Sequence, residues 1–187
     1  HRDLHSFPTR RSSDLGTMVR ELGPILTSIV VAGFVGGGMS STIATMRVNE
    51  EIDALEVMSI NPVRFLVMPR LIAMLIVVPC LTGLSNIVGL WGGMIISTTG
   101  LGVAPEADWS SAWSFLQVND VAVGALKSLV FGLLITIIFC TKGYFATGGA
   151  EGVGKATMSS VVNSFLAILV SNYIMFSLVW RTLMIPD

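Results

Sequence analysis

Three charged side chains at or inside otherwise uncharged apolar stretches are the first candidates for chemistry in this sequence. Lys127 lies about two helical turns inside one stretch. If that stretch crosses a bilayer, the ammonium group costs about 2.5 to 3.5 kcal/mol, which another feature must offset. The ammonium either snorkels to the membrane surface or pairs with Glu21 or a lipid phosphate. Arg20 and Glu21 are adjacent charges at the end of the first stretch, where charges commonly anchor a helix.

A second candidate is the segment GAEGVGKA at 149–156, which nearly matches the phosphate-binding loop G-x-x-x-x-G-K-[ST]. Ala156 occupies the last position, where a hydroxyl group would hold Mg²⁺. The loop also requires a preceding β-strand, whereas an apolar stretch of helical length ends nearby. We therefore expect no nucleotide binding here. The glycines are better explained as shaping a tight turn, with Thr157 capping the helix that follows.

The remaining reactive side chains predict neither a catalytic centre nor a metal site. Both histidines, His1 and His5, lie in the first fifteen residues, so the rest of the chain has no imidazole for metal binding or proton transfer. Cys80 and Cys140 lie in apolar stretches, where a thiol behaves as a small hydrophobe, and they suggest no disulfide framework. We expect no catalytic residue, no metal, no cofactor and no nucleic-acid partner.

The elements that must position these residues are four apolar stretches. The sequence is 52% hydrophobic and only 12% charged, with a mean hydropathy of +0.77. A membrane helix needs about 20 mainly apolar residues to cross the hydrocarbon core. The composition and pattern predict an all-α, polytopic membrane protein with spans at about 22–46, 71–98, 121–141 and 157–180.

The first fifteen residues, HRDLHSFPTRRSSDL, differ from the rest in being polar, arginine-rich and without helical period. They resemble the in-frame translation of a sequencing adapter; the alternative is a natural basic arm. We exclude 1–15 from the fold as non-native, which leaves 16–187 as one transmembrane domain.

Cationic residues in the connections predict the orientation. Arg47, Arg64 and Arg70 lie between the first two stretches, Lys142 and Lys155 lie between the last two, and the connection 99–120 has none. Because cytoplasmic loops are rich in lysine and arginine, we expect 47–70 and 142–156 to be cytoplasmic. The connection 99–120 and the C-terminus then face the other side.

Segment 47–69, RVNEEIDALEVMSINPVRFLVMP, predicts a short cytoplasmic helix. Asn49 can cap it, the acids that follow suit its positive end, and Asn61-Pro62 stops it. It has an apolar side, formed by Ile52, Leu55, Val57 and Met58. Such a helix either docks into a groove on a partner protein or lies passively at the headgroups.

Four motifs in order resemble the MlaE (YrbE) permeases of ABC transporters. They are RELGPILTSIVVAG at 20–33, TMRVNEEIDALEVMSINPVRFLVMPR at 45–70, LKSLVFG at 126–132 and CTKGYFATGGAEGVGKAT at 140–157. The resemblance implies a non-enzymatic permease subunit of a transporter for lipids, with phospholipids as the expected substrates, in a bacterial inner membrane. It also implies a homodimer, an ATPase subunit that hydrolyses the ATP, and an MCE-domain substrate-binding protein. Family members have one more membrane helix before this point, so we expect four of five spans here.

The resemblance also assigns roles to individual residues. The family's coupling helix matches about 49–60, which implies that the residues contacting the ATPase are Glu50, Glu51, Asp53, Ala54, Leu55 and Glu56. Arg20 and Glu21 match the family motif at a position that faces the lipid cavity, which implies a headgroup contact from Arg20. With Lys127, which would face the cavity of the dimer, they are the residues expected along the substrate path. The sequence departs from the family pattern at four positions. Phe34 stands where many members have a basic residue, Thr42 and Ile43 stand where an acidic residue is usual, and Asn172 replaces a frequent Asp.

Two functions of other classes remain as alternatives. A secondary transporter or channel would need ionisable groups within the spans, and these are scarce beyond Lys127. A membrane scaffold without a transport role would not need an acidic docking helix.

Overall fold

The computed structural model describes residues 18–100 and 118–184, and these form four long helices and one short one. Helix α1 covers 18–48, with π-helical turns at Met18–Leu22 and Ala32–Gly36. The short helix α2 is Glu51–Val57. Helix α3 covers 63–100, beginning with a π-helical turn at Val63–Val67. Helix α4 is Val118–Tyr144 and helix α5 is Gly149–Met184.

The architecture confirms the prediction of an all-α, polytopic membrane protein. Four segments are long and apolar enough to cross a bilayer: Val19–Val48, Val63–Ile96, Asp120–Tyr144 and Gly149–Leu178. The described part of the chain contains no β-strand. The segment 1–15 and most of the connection 99–120 lie outside the described residues.

The last long helix begins earlier than the sequence predicts. Gly148 and Gly149 have positive φ angles of 96° and 68°, so these glycines make the turn before α5. The Thr157 hydroxyl donates to the Val153 carbonyl at 2.8 Å from within the helix. The prediction that Thr157 caps α5 is therefore wrong. The helix continues through charged residues, so it starts before the uncharged stretch that predicts it.

The core is narrow and lies around α4, which contacts the other three long helices. Its buried side chains come from all four spans and are Val31, Ala32, Met74, Val78, Phe131, Ile135, Phe139 and Ile168. Many large apolar side chains lie outside this core, including Phe34, which is 83% exposed. Such an outer surface suits a solvent of lipid chains, in which close packing and not hydrophobicity holds helices together.

Gly36 permits a close contact between α1 and α4. A Cβ atom added at Gly36 would lie 2.2 Å from Cε2 of Phe139, a ring that is itself fully buried. Gly33, in the same π-helical turn, has nothing within 4 Å of its Cβ position. We expect Gly36→Ala to lower the free energy of unfolding by about 1 to 3 kcal/mol because it overpacks the core.

The matched control is Gly33→Ala, which we expect to be neutral or slightly stabilising, since alanine favours helices. Unfolding of the detergent-solubilised protein, followed by circular dichroism, measures both variants. Equal stability of the two would contradict the close contact between α1 and α4.

Candidate functional site

A charged cluster joins α1, α4 and α5 at the ends of the helices farthest from α2. It consists of Arg20, Glu21, Asp120, Lys127 and Asn172. Nζ of Lys127 donates to Oε2 of Glu21 at 2.5 Å and to Oδ1 of Asn172 at 3.4 Å. Nη1 of Arg20 lies 3.9 Å from Oδ1 of Asp120, and its Nε lies 3.9 Å from Oε1 of Glu21. Two cations and two carboxylates thus balance each other.

Burial decides between the two explanations offered for Lys127. Its side chain is 0% exposed and that of Glu21 is 14% exposed. The structure therefore shows the predicted pair with Glu21 and not a snorkelling lysine. Removing either partner of such a pair leaves an uncompensated charge in a medium of low dielectric constant, which is strongly destabilising.

Some polar atoms of the cluster make no hydrogen bond. Nε of Arg20 and Oε1 of Glu21 are shielded from solvent, and neither has a hydrogen-bond partner among the described residues. The two Arg20 ion pairs, at 3.9 Å, are too long to be hydrogen bonds. The guanidinium group, 25% exposed, can therefore still donate to an anionic group.

Two residues near this cluster were missed from the sequence. Asp120 precedes the third apolar stretch and lies opposite Arg20 only in the folded bundle.

The second missed residue is Asn86 on α3, which donates through Nδ2 to the Val19 carbonyl at 3.5 Å. It lies beside Gly23, where any side chain would collide with Asn86. Pro24 has no N–H, so it cannot donate a hydrogen bond to a carbonyl of the preceding turn. Asn86 thus supports the π-helical turn that carries Arg20 and Glu21. In the sequence, the feature that could have pointed to Asn86 is an isolated amide in an uncharged span.

The short helix α2 lies at the opposite end of the bundle and differs in detail from its prediction. It is Glu51–Val57 and not 49–60. Asn49 ends α1 instead of capping α2, and Glu50, with φ of 61°, makes the turn between them. Helix α2 has already ended when the chain reaches Asn61. The Asn61 side chain instead caps α3 by accepting from the N–H groups of Val63 and Arg64 at 3.0 and 3.2 Å.

One side of α2 is docked on the bundle. Ile52 is 0% exposed and packs in a second apolar cluster with Ile43, Leu66 and Cys140, and Leu55 lies at its edge. The predicted apolar side is therefore divided. Val57 and Met58 point away and are 86% and 60% exposed.

The acids of α2 are divided in the same way. Asp53 forms an ion pair with Arg47, and Glu56 accepts a hydrogen bond from the Tyr144 hydroxyl at 3.1 Å. Both carboxylates are thus held by contacts within the chain. The predicted contact residues Glu50, Glu51 and Ala54 are exposed, as are Val57 and Met58. We call these five residues the outward face of α2.

The segment that nearly matches a phosphate-binding loop forms the start of α5. Glu151 and Lys155 make an ion pair at 2.7 Å, and both side chains are 78% exposed. The element before this segment is the membrane-length helix α4 and not a β-strand. The context required for a phosphate-binding loop is therefore lacking.

Together, these features define a polytopic helical membrane protein with a charged cluster inside its bundle and a helix docked at one end. The family model "Permease MlaE" matches residues 15–178, so the chain belongs to the MlaE permease family.

Several relatives carry names that fit this family. A probable ABC transporter permease protein of Rickettsia typhi is 42% identical over 165 residues, which are 88% of this chain and 64% of the relative. One of Synechocystis is 44% identical over 88% of this chain and 63% of its own length. The chloroplastic protein Trigalactosyldiacylglycerol 1 of Arabidopsis thaliana is 37% identical over 84% of this chain and 45% of its own length. The chain thus spans a little under two thirds of the bacterial relatives.

Proposed function

We propose that this chain is the membrane-embedded permease subunit of an ABC transporter that moves lipids, with phospholipids as the substrate class. The observation that carries the proposal is the family match over 15–178. Bacterial relatives named as ABC transporter permeases support the transport class. The Arabidopsis relative, whose name includes that of a galactolipid, supports a lipid substrate. The subunit itself is not an enzyme in this proposal.

The proposal includes the partners that the family resemblance implies. A separate ATPase subunit hydrolyses ATP, an MCE-domain protein receives or delivers the lipid, and two copies of the permease form the lipid path. The inner membrane of a bacterium is the location that suits this assembly.

In this assembly the outward face of α2 contacts the ATPase. Exposure supports the assignment for Glu50, Glu51 and Ala54, whereas Leu55 is turned toward the bundle. Val57 and Met58 add exposed apolar surface that could fill a groove on a partner. Asp53 and Glu56 hold α2 in place instead of contacting the ATPase directly.

The charged cluster is the proposed contact for a lipid headgroup. Arg20 can donate to a phosphate, because its guanidinium group is partly exposed. Glu21 and Lys127 hold one another in a fixed geometry behind it. A charged group inside a membrane bundle usually lines a substrate pathway or pairs with another charge. In this proposal Arg20 does the first, and Glu21 and Lys127 do the second.

The function is tested by reconstituting the full-length permease, its ATPase and its MCE-domain protein in liposomes of defined phospholipids. We expect ATP-dependent transfer of phospholipid and a co-purifying phospholipid detectable by mass spectrometry. Transfer that follows an ion gradient and ignores ATP would favour a secondary transporter. Absence of transfer, together with absence of ATPase binding, would favour a scaffold.

Charge reversal on the outward face of α2 should separate the permease from its ATPase. We expect Glu51→Lys to reduce co-purification of the ATPase at least about tenfold, a loss of about 1.4 kcal/mol or more of binding free energy. The matched control is Glu151→Lys, because Glu151 is also an exposed acid and lies at the same end of the bundle. Equal retention of the ATPase by both variants would contradict the assignment of this face.

A further inference from the structure

A network of side-chain contacts joins α2 to two of the long helices. Arg47, at the end of α1, forms an ion pair with Asp53 of α2. The Arg47 guanidinium carbon also lies 5.6 Å from the centroid of the Tyr144 ring, at the end of α4. The Tyr144 hydroxyl donates to Glu56 of α2 at 3.1 Å. We call these four residues the latch.

The packing beneath the latch restricts the relative movement of α1, α2 and α4. Ile52 is buried directly under it, and Tyr144 packs against the same apolar cluster. Next to Tyr144, a Cβ atom added at Gly143 would lie 2.8 Å from the Ser40 carbonyl of α1. Helices α1 and α4 thus approach each other closely near the place where α2 is attached.

The two helices that the latch joins are those that carry the buried ion pair. Glu21 lies near the far end of α1, and Lys127 lies near the far end of α4. A displacement of α2 that moves both helix ends can pass along the two helices to the two partners of that pair. Helices α3 and α5 contribute no side chain to the latch.

We propose that the latch makes α2 move as one body with the ends of α1 and α4, so that work done on α2 reaches the charged cluster. This inference rests on the proposed function, which makes α2 the contact for the ATPase. Arg47, Asp53, Glu56 and Tyr144 are positioning residues in this scheme. They act through α2 and do not themselves contact lipid or nucleotide.

The residue types suit this role better than their simplest replacements. A planar guanidinium can pair with a carboxylate and lie over an aromatic ring at the same time, which an ammonium does less well. An exposed ion pair alone contributes little to stability. A network that also includes a ring and a second hydrogen bond restricts the orientation of α2 and not only its attachment.

The experiment uses the full-length permease reconstituted with its ATPase. We compare Arg47→Glu, Tyr144→Phe and the swapped pair Arg47→Glu/Asp53→Arg, because the swap restores an ion pair of opposite polarity. The first measurement is hydrogen exchange of residues 51–57, and the second is the number of lipids moved per ATP hydrolysed. The controls are Arg64→Glu and Tyr173→Phe, in which the altered side chains are exposed and outside the latch.

We expect exchange in 51–57 to rise about tenfold in Arg47→Glu and less in Tyr144→Phe, with a return to near wild-type exchange in the swapped pair. ATPase binding should persist, because the outward face of α2 is unchanged. The lipid-to-ATP ratio should fall roughly fivefold or more in Arg47→Glu and recover in the swap.

Unchanged exchange in Arg47→Glu would overturn the latch. So would increased exchange with an unchanged lipid-to-ATP ratio, because the attachment would then not serve transmission. A wild-type complex that binds ATPase but moves no lipid would instead overturn the proposed function. In that case the exchange data would still decide whether α2 is attached as described.

Discussion

Lys127→Met is expected to lower the free energy of unfolding by about 3 to 5 kcal/mol, the usual cost of breaking a buried ion pair. Methionine fills a similar volume, so the loss comes from the charge left on Glu21, whose only close cation in the described residues besides Arg20 is Lys127. Chemical unfolding of the purified protein in detergent measures the change. The control is Lys142→Met, which removes an exposed lysine from the same helix.

The double variant Lys127→Met/Glu21→Gln separates structure from transport. With neither charge left, we expect it to be more stable than Lys127→Met alone. If it also regains lipid transfer, the pair serves only to hold α1 against α4. If stability returns and transfer does not, a charge in the cluster acts on the substrate. Wild-type stability in Lys127→Met would refute the burial of the pair.

The sequence was sufficient to predict the helices of this protein but not their ends. Four apolar stretches of membrane length predicted four spans, and the described residues contain four helical segments able to cross a membrane. Their ends were set too far inward because the charge pattern marks where hydrocarbon stops, whereas hydrogen bonding continues the helix into the headgroup region. Glu151 and Lys155 illustrate this, since they form an ion pair within the first turns of α5.

The charged cluster was predictable only in part, because its members lie far apart along the chain. Lys127 demanded a partner because an unpaired ammonium in a span is costly, and few acids were near enough to the same membrane surface to serve. Glu21 could therefore be named. Asp120 and Asn86 do not require a partner in this way. Asp120 lies at a span boundary and Asn86 is a neutral amide, and both kinds of residue are tolerated without partners.

The two sides of α2 could not be assigned from the sequence. In a helix of seven residues with apolar side chains at Ile52, Leu55 and Val57, helical periodicity does not single out one side. The neighbours Ile43, Leu66 and Cys140 decide which side docks, and they come from three other helices. The acids followed that choice, since docking Ile52 brings Asp53 and Glu56 to Arg47 and Tyr144.

The same substitution on the two sides of α2 is expected to have different effects. Ile52→Asp places a carboxylate in an apolar cluster without a partner, at a cost above about 4 kcal/mol, which exceeds what holds a seven-residue helix in place. We expect α2 to leave the bundle while the spans remain folded. Hydrogen exchange in 51–57 should then rise about a thousandfold, and both ATPase binding and lipid transfer should be lost.

Val57→Asp changes a side chain that is 86% exposed, so exchange in 51–57 should stay within about twofold of the wild type. If the outward face of α2 fills a groove on the ATPase, the new charge should still weaken ATPase binding at least about tenfold. Intact binding in Val57→Asp would remove the apolar part of that face from the interface. Wild-type exchange in Ile52→Asp would mean that α2 is not held by Ile52, and the transmission of movement to α1 and α4 would need another route.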